Sequence, residues 1–355
     1  MTVVEPDLDR SLTNAEPLLA ARGVTCIYTQ GGTSGPFARK QIVRAVDDVT
    51  LEVFLGETLA IVGESGCGKT TLARLLLGLV KPAGGTIEFR GKNVRKLSRH
   101  EQQKFHKAVQ VVFQDPLSSL NPRKQVRRIL GDIVRLWGDK MTPAKLNRRV
   151  QQVLSEVELT PPRLFLERYP HELSGGQRQR VAIAKAITVE PDLIVADEPL
   201  SALDVSVQGQ ILDLLRRLKK EFGVGYVLIS HDLEVVHSVA DRVVVMYLGK
   251  VVESGSVKDV FESPKHPYTR SLLASVLRAD PRAARQRERT VIAGEVPSLA
   301  SVPSGCRFHP RCPVAIDRCS VEQPVAIEIG SGTHVAYCHR AVEPGVVEQI
   351  EVPTY

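Results

Sequence analysis

Apolar and polar positions alternate along "AVDDVTLEVFLGETLAIVGESGCGKT", residues 45–70, until the alternation gives way to the wholly apolar "LAIVG". A period of two marks half-exposed antiparallel strands. An unbroken apolar run marks a strand buried on both faces, here Thr58–Val62. Upstream, residues 1–20 are polar and acidic and read as a tail. "GVTCIYTQ" reads as a short strand ending near Tyr28, and "GGTSGPFARKQ" as a Gly-rich loop. After the apolar strand, "TTLARLLLGLV" predicts a helix with Leu72, Leu75, Leu76 and Leu79 on one face, and "PAGG" ends that unit.

Residues 100–185 are rich in Arg, Lys and Gln and read as mainly helical. "DLIVADEP" predicts a second buried strand, Leu193–Asp197, and "VQGQILDLLRRLKKEFG" an amphipathic helix closed by Gly223. "GYVLIS" is a third buried strand, and "DRVVVMYLGKVVESG" a hairpin turning at Leu248-Gly249. Strands alternating with helices imply an α/β fold with a parallel sheet covered on both faces. The pattern changes after Gly255, which places a boundary near residue 260. One domain then spans 21–260, with a helical part over about 100–185, and a smaller C-terminal extension spans 261–355.

Composition adds exclusions. No apolar run approaches the ~18 residues of a membrane-crossing helix. "MTVVEPDLDR" has neither the basic start nor the apolar stretch of a signal peptide. The expected compartment is therefore the cytoplasm, where thiols stay reduced and disulfides are rare. The formal net charge is +7, but the basic residues are spread along the chain without a block, so no nucleic-acid partner is expected.

Candidate chemistry begins at "GESGCGKT", residues 63–70, which fits G-x-x-x-x-G-K-[ST] between a buried strand and a helix. In that setting the backbone N–H groups curl around phosphate oxygens, and the helix N-terminus adds partial positive charge. The candidate nucleotide-binding residues are Gly63, Ser65, Gly66, Cys67, Gly68, Lys69, Thr70 and Thr71. Lys69 is expected on the β- and γ-phosphates and the Thr70 hydroxyl on Mg²⁺. Cys67 carries no other mark of reactivity. A partner carboxylate is needed at the end of a neighbouring apolar strand. "LIVADEP" supplies Asp197 for Mg²⁺ and Glu198 as general base toward water.

"ELSGGQRQR" narrows the field, because Leu173–Gln177 resembles the LSGGQ signature of ATP-binding cassette (ABC) proteins. The resemblance runs from about residue 20 to 340, with the other motifs in family order. Gln114 in "VVFQDP" matches the Q-loop, Ser201–Asp204 the D-loop, and His231 in "LISHD" the switch histidine. Tyr28 best matches the aromatic that stacks on adenine, with Phe37 as competitor. The resemblance implies ATP and Mg²⁺ as ligands, with Thr70, Gln114 and Asp197 toward the metal and Glu198, His231 and Gln114 as catalytic candidates. It also implies a RecA-like core with an antiparallel β subdomain and a helical subdomain. Two subunits would pack head to tail, so that Ser174, Gly175, Gly176, Gln177 and Asp204 of one serve nucleotide held by the other.

A finer resemblance lies in "HPYTRSLL", "GEVPS" and "PSGCRFHPRCPVAIDRC", with "VFQDPLSSLNPR" after the Q-loop glutamine. These are similar to ATPase subunits of dipeptide, oligopeptide and nickel importers. That implies a second ATPase subunit, identical or related, two membrane permeases, an extracytoplasmic solute-binding protein, and a peripheral place on the cytoplasmic face of the inner membrane. ABC proteins acting on DNA or ribosomes are the alternative. They usually carry two cassettes or a long coiled coil, whereas this chain has one P-loop and no sustained heptads. The extension gathers Cys306, Cys312, Cys319 and Cys338, with five, six and eighteen residues between successive members. Four thiolates can hold a [4Fe–4S] cluster or a structural zinc. No tight C-x₂-C pair favours zinc, and resembling ATPases include some with a cluster, so [4Fe–4S] is the expectation and Zn²⁺ the alternative.

Overall fold

The computed structural model of the protein describes residues 16–30, 41–137, 141–275, 297–330, 333–347 and 350. The Gly-rich loop with Phe37 lies outside the described residues, as do residues 1–15 of the expected tail. The strands are β1 (Leu19–Gln30), β2 (Gln41–Val53), β3 (Thr58–Val62), β4 (Gly84–Phe89), β5 (Lys92–Asn93), β6 (Val109–Val112), β7 (Leu193–Asp197), β8 (Gly225–Ile229), β9 (Arg242–Tyr247), β10 (Lys250–Ser256), β11 (Ile327–Ile329) and β12 (His334–Ala336). The helices used below are α1 (Lys69–Leu76), α2 (Arg99–Ala108), α3 (Pro116–Ser119), α4 (Val126–Trp137), α5 (Pro143–Glu156), α6 (Gly175–Ile187), α7 (Val205–Phe222), α8 (Leu233–Val239), α9 (Val257–Glu262), α10 (Pro267–Ala274) and α11 (Asp317–Val321).

Two sheets organise these elements. One is antiparallel in the order β2-β1-β4-β5, and the other has the order β11-β12-β10-β9-β3-β8-β7-β6. Strands β3, β7 and β8 are buried along their whole length and pair in parallel, Leu59 with Val227 and Val195 with Val227. That is why their sequences are continuous apolar runs rather than alternating ones. Strand β6 joins β7 in parallel as well. With β9, which pairs in parallel with β3, five parallel strands therefore deliver their following loops to one end of the sheet, the usual place for ligands in an open α/β sheet.

Three large apolar cores hold the layers together, and a small fourth gathers Ala336, Cys338 and Ala341 beside β11 and β12. The first packs α1 and α2 between the antiparallel sheet and β3, around Leu72, Leu75, Leu76 and Phe105. The second packs α4 to α7 on β6, β7 and β8, around Leu130, Val153, Ile183 and Leu214. The third joins β9 to α8, α9 and α10 and includes Tyr268 and Phe308, both fully buried.

Several elements differ from the sequence expectation. Helix α1 ends at Leu76, and Gly78 at φ 69° turns the chain while Leu79 N donates back to Arg74 O at 2.9 Å. This glycine-based ending leaves Leu79 59% exposed, off the face expected for it. Within the region read as mainly helical, β6 adds a sheet strand whose four residues are too few to show a period. The hairpin turns where expected, with Leu248 at φ 44° and Gly249 at φ 83°, the double positive φ of a tight two-residue turn. Beyond residue 260 the chain returns to the main sheet, because β12 pairs antiparallel with β10, Glu253 opposite Ala336. The buried Glu253 carboxylate fastens this return. It accepts from Lys265 N at 2.6 Å, His266 N at 2.9 Å and His334 Nε2 at 2.7 Å.

Candidate active site

Residues 63–68 link β3 to α1 as a tight loop. Gly63 and Gly68 sit at φ 147° and 110°, and a Cβ on them would meet Met246 O at 2.2 Å and Ala45 O at 2.1 Å. Only glycine fits where the loop is pressed this hard against β9 and β2. Gly66, by contrast, faces open space and Ser65 is exposed, so the outer rim of the loop is free. Lys69 is 5% exposed, and its ammonium donates to Gly63 O at 2.7 Å and Glu64 O at 2.9 Å. No side chain caps α1, since its N-cap is Gly68. Its first N–H groups therefore remain available to an anion. Cys67 is buried, and burial pushes its thiol up from the ordinary value, so it serves as packing and not as a nucleophile.

Asp197 and Glu198 stand at the end of β7. The Thr70 hydroxyl donates to Asp197 Oδ1 at 3.2 Å, which unites the ends of two parallel strands. Burial pushes the Asp197 carboxyl up, against the lowering effect of the Thr70 hydrogen bond. A cation held between these oxygens would relieve that burial, so the donor set fits a hard divalent ion such as Mg²⁺. Glu198 has φ 45°, unusual for a side chain of its size, and costs about 1–2 kcal/mol of backbone strain. The strained residue is fixed by Glu198 N donating to Ile229 O at 3.0 Å, and its carbonyl accepts from Ser201 Oγ at 3.1 Å. Its carboxylate is the meeting point of the site. Gln114 Nε2, beyond β6, donates to Oε2 at 3.0 Å, and His231 Nδ1, beyond β8, lies 3.5 Å from Oε1. Both side chains are exposed on their outer sides.

Ser174, Gly175, Gly176 and Gln177 open α6. The Ser174 hydroxyl accepts from Gln177 N at 3.3 Å, and Ser174 N donates to Gln177 Oε1 at 3.1 Å, a reciprocal cap. Gly176 lies against α7, where a Cβ would come within 2.7 Å of Val207 Cγ1. Asp204 precedes α7 and is exposed. These residues form a second helix start, and none of them hydrogen-bonds to Glu198, Gln114 or His231. Tyr28 stands on β1 opposite Val43 and is 37% exposed, so its ring has a free face.

Sequence reasoning missed the contacts that reach residues 63–68 from the C-terminal region. Glu64 N donates to Tyr268 Oη at 2.8 Å, and Arg311 donates to both Glu64 carboxylate oxygens at 2.9 and 3.0 Å. Arg307 donates to Asp47 and to Leu248 O. The lone signal was the density of Arg among the cysteines, which carries no partner information.

The four cysteines lie in the same region. Cys306 N donates to Cys319 O at 2.8 Å, Cys312 follows the turn His309–Arg311, and Cys338 follows β12. The expected four-thiolate arrangement is not supported. Among the described residues no group of three or more His, Cys, Asp or Glu side chains is placed to hold a metal ion. Burial raises the Cys306 thiol above its ordinary value and takes Cys312 to about 11 and Cys338 to about 12.

Comparison with known proteins places this geometry. The family model for the ABC transporter matches residues 46–201, and that for the oligopeptide/dipeptide transporter C-terminal region matches residues 252–319. The chain is 46% identical over 328 residues to the oligopeptide transport ATP-binding protein AppF of Bacillus subtilis, covering 92% of this chain and 98% of the relative. It is 44% identical over 288 residues to the oligopeptide transport ATP-binding protein OppF of Haemophilus influenzae, covering 81% and 86%. Among solved structures it resembles cbiO1 from Clostridium perfringens, part of the ABC transporter complex cbiONQ, with TM-score 0.60 and 28% identity over 76% of this chain and 98% of that one. It also resembles the dimeric post-hydrolysis state of the ATP-binding cassette MJ0796 bound to ADP and Pi, with TM-score 0.58 and 29% identity over 67% and 98%. The chain therefore belongs to the ABC ATPase family, among the members that carry the oligopeptide/dipeptide transporter C-terminal region.

Proposed function

We propose that this chain binds and hydrolyses ATP and thereby energises the import of peptides through a membrane transporter. The observation that carries the reading is the convergence of Gln114 and His231 on the Glu198 carboxylate, beside the Thr70–Asp197 contact. The loop N–H groups, the start of α1 and Lys69 bind the phosphates. Thr70 and Asp197, with Gln114 nearby, would hold Mg²⁺, which would neutralise phosphate charge when bound. Glu198 accepts a proton from the attacking water at its carboxylate, and His231 and Gln114 orient that carboxylate. Tyr28 stacks on the adenine. Ser174, Gly175, Gly176, Gln177 and Asp204 serve the nucleotide of a second ATPase subunit, identical or related. That leaves each site incomplete within one chain and couples hydrolysis to opening of the pair.

The relatives' names supply the substrate class, and the absence of a long apolar helix among the described residues suits a peripheral subunit. Two permeases, an extracytoplasmic solute-binding protein and the cytoplasmic face of the inner membrane complete the assembly. Co-expression with the candidate permeases tests it. ATP hydrolysis stimulated by peptide-loaded binding protein, and abolished by Lys69→Ala, is expected. Hydrolysis indifferent to peptide but responsive to another solute would overturn the substrate class. The [4Fe–4S] reading of Cys306, Cys312, Cys319 and Cys338, or its Zn²⁺ alternative, rests on their spacing and on the resemblance to importer ATPases with a similar four-cysteine pattern. Iron, sulfide and zinc analysis of anaerobically purified protein decides it, and metal-free protein excludes both.

A further inference from the structure

We propose that Arg311 and Tyr268 are positioning residues for nucleotide binding, which act from the C-terminal region by holding and neutralising Glu64 inside the phosphate loop. The inference rests on the reading of residues 63–70 as the ATP site. Glu64 is the second residue of that loop and is gripped on three sides. Its carbonyl accepts from Lys69 Nζ at 2.9 Å, its N–H donates to Tyr268 Oη at 2.8 Å, and both carboxylate oxygens accept from Arg311. The two partners are themselves immobilised. Tyr268 is fully buried, with its ring 4.6 Å from that of Tyr247 and 5.4 Å from that of Phe308. The Arg311 side chain is 6% exposed, donates to Tyr247 Oη at 3.2 Å, and lies over the Tyr247 and Phe308 rings.

The arrangement has an electrostatic logic. A carboxylate within a phosphate-binding loop repels the anion the loop is built to take. A fork-shaped, bidentate guanidinium cancels that charge and also fixes where the carboxylate points. The Tyr268 hydroxyl removes Glu64 N–H from the set of donors and so sets where the cradle begins. Residues 204 and 247 positions later in the chain therefore shape the loop that follows β3. A role confined to packing the C-terminal region would not require the partner to be this carboxylate.

A double-mutant cycle on the full chain tests the inference. The readouts are the dissociation constant of a fluorescent ATP analogue and the thermal unfolding temperature. Arg311→Met leaves Glu64 charged and unpaired and is expected to weaken binding about tenfold, a change of about 1.4 kcal/mol. Arg311→Lys, which keeps the charge, should stay within about threefold of the parent, and Glu64→Gln, alone or combined with Arg311→Met, should bind within about twofold of the parent. Parent-like binding by Arg311→Met, or a double variant as weak as Arg311→Met alone, overturns the proposal. If Arg311→Met does not fold, Arg311→Gln carries the same comparison. Lys69→Ala separates the two readings. Parent-like binding by that variant refutes the nucleotide site itself. Lost binding there with unchanged binding in Arg311→Met refutes only the role given to Arg311.

Discussion

The amide of Gln114 donates to the carboxylate of Glu198 at 3.0 Å across 84 residues of sequence, joining the ends of β6 and β7. The contact gives Glu198 a fixed orientation on one side while His231 approaches the other oxygen. Glu198→Gln keeps the size of the side chain and removes its basicity. Turnover is expected to fall at least ~100-fold while ATP binding persists. Near-normal hydrolysis by this variant in the assembled transporter would refute the general-base role.

Ser174 is exposed, caps the start of α6 and makes no hydrogen bond to Glu198, Gln114 or His231. Ser174→Arg places bulk and charge there and should spoil hydrolysis at the partner's site while this chain still binds ATP. Equal loss of ATP binding in the isolated chain, with an unchanged circular dichroism spectrum, would count against sharing of sites between subunits.

Ser118 is exposed on α3, directly after the Q-loop glutamine, and its neighbour Asp115 caps that short helix through Leu117 N and Ser118 N. A permease helix is expected beside it. Cysteine introduced as Ser118→Cys should crosslink to the permease in membranes. No product across reagents of several lengths would remove this segment from the docking surface.

His266 is fully buried, and its Nδ1 accepts from Tyr268 N at 3.0 Å. Burial depresses its pKa to about 3. An unfolded histidine titrates near ~6.5. Below that value the unfolded chain takes up a proton that the folded chain refuses. The stabilisation is therefore complete above about pH 6.5 and declines by about 1.4 kcal/mol per pH unit as pH falls toward 3. His266→Asn keeps an acceptor for Tyr268 N and cannot titrate in this range. Urea unfolding at pH 7 and pH 5 should show a smaller loss in the variant, by about 2 kcal/mol. Equal losses in both proteins would contradict the assignment.

Legibility in the sequence followed locality. Thr58–Val62 and Leu193–Asp197 coincide with the observed strands because a doubly buried strand needs an unbroken apolar run. Gly223 ends α7 in the left-handed conformation as expected. Residues 63–70, Asp197 and Glu198 could be picked out because they close or follow unbroken apolar runs, whereas Gln114 and His231 were legible only through their resemblance to ABC motifs. The signal failed where the cause was remote. Leu79 fits the helical period, but the turn at Gly78 removes it from the face. The hold of Tyr268 and Arg311 on Glu64 has no periodic trace, since it depends on tertiary packing alone. The cysteine spacing looked like a ligand set, yet among the described residues no group of three or more such side chains is placed to hold a metal ion.

Strand β12 changes what the cassette's main sheet offers to its surroundings. Without it, the seven-residue β10 would be the outermost strand on that side and would present a row of free N–H and C=O groups. Such a row recruits strands from other chains. The chain's own late residues fill the position, and the new border is the three-residue β11, with Glu328 exposed at its centre. A short strand bearing a charge is a poor template for further growth. The C-terminal region thus guards the protein against indiscriminate self-association, and shortening the chain to residue 260 would trade a bordered sheet for an adhesive one.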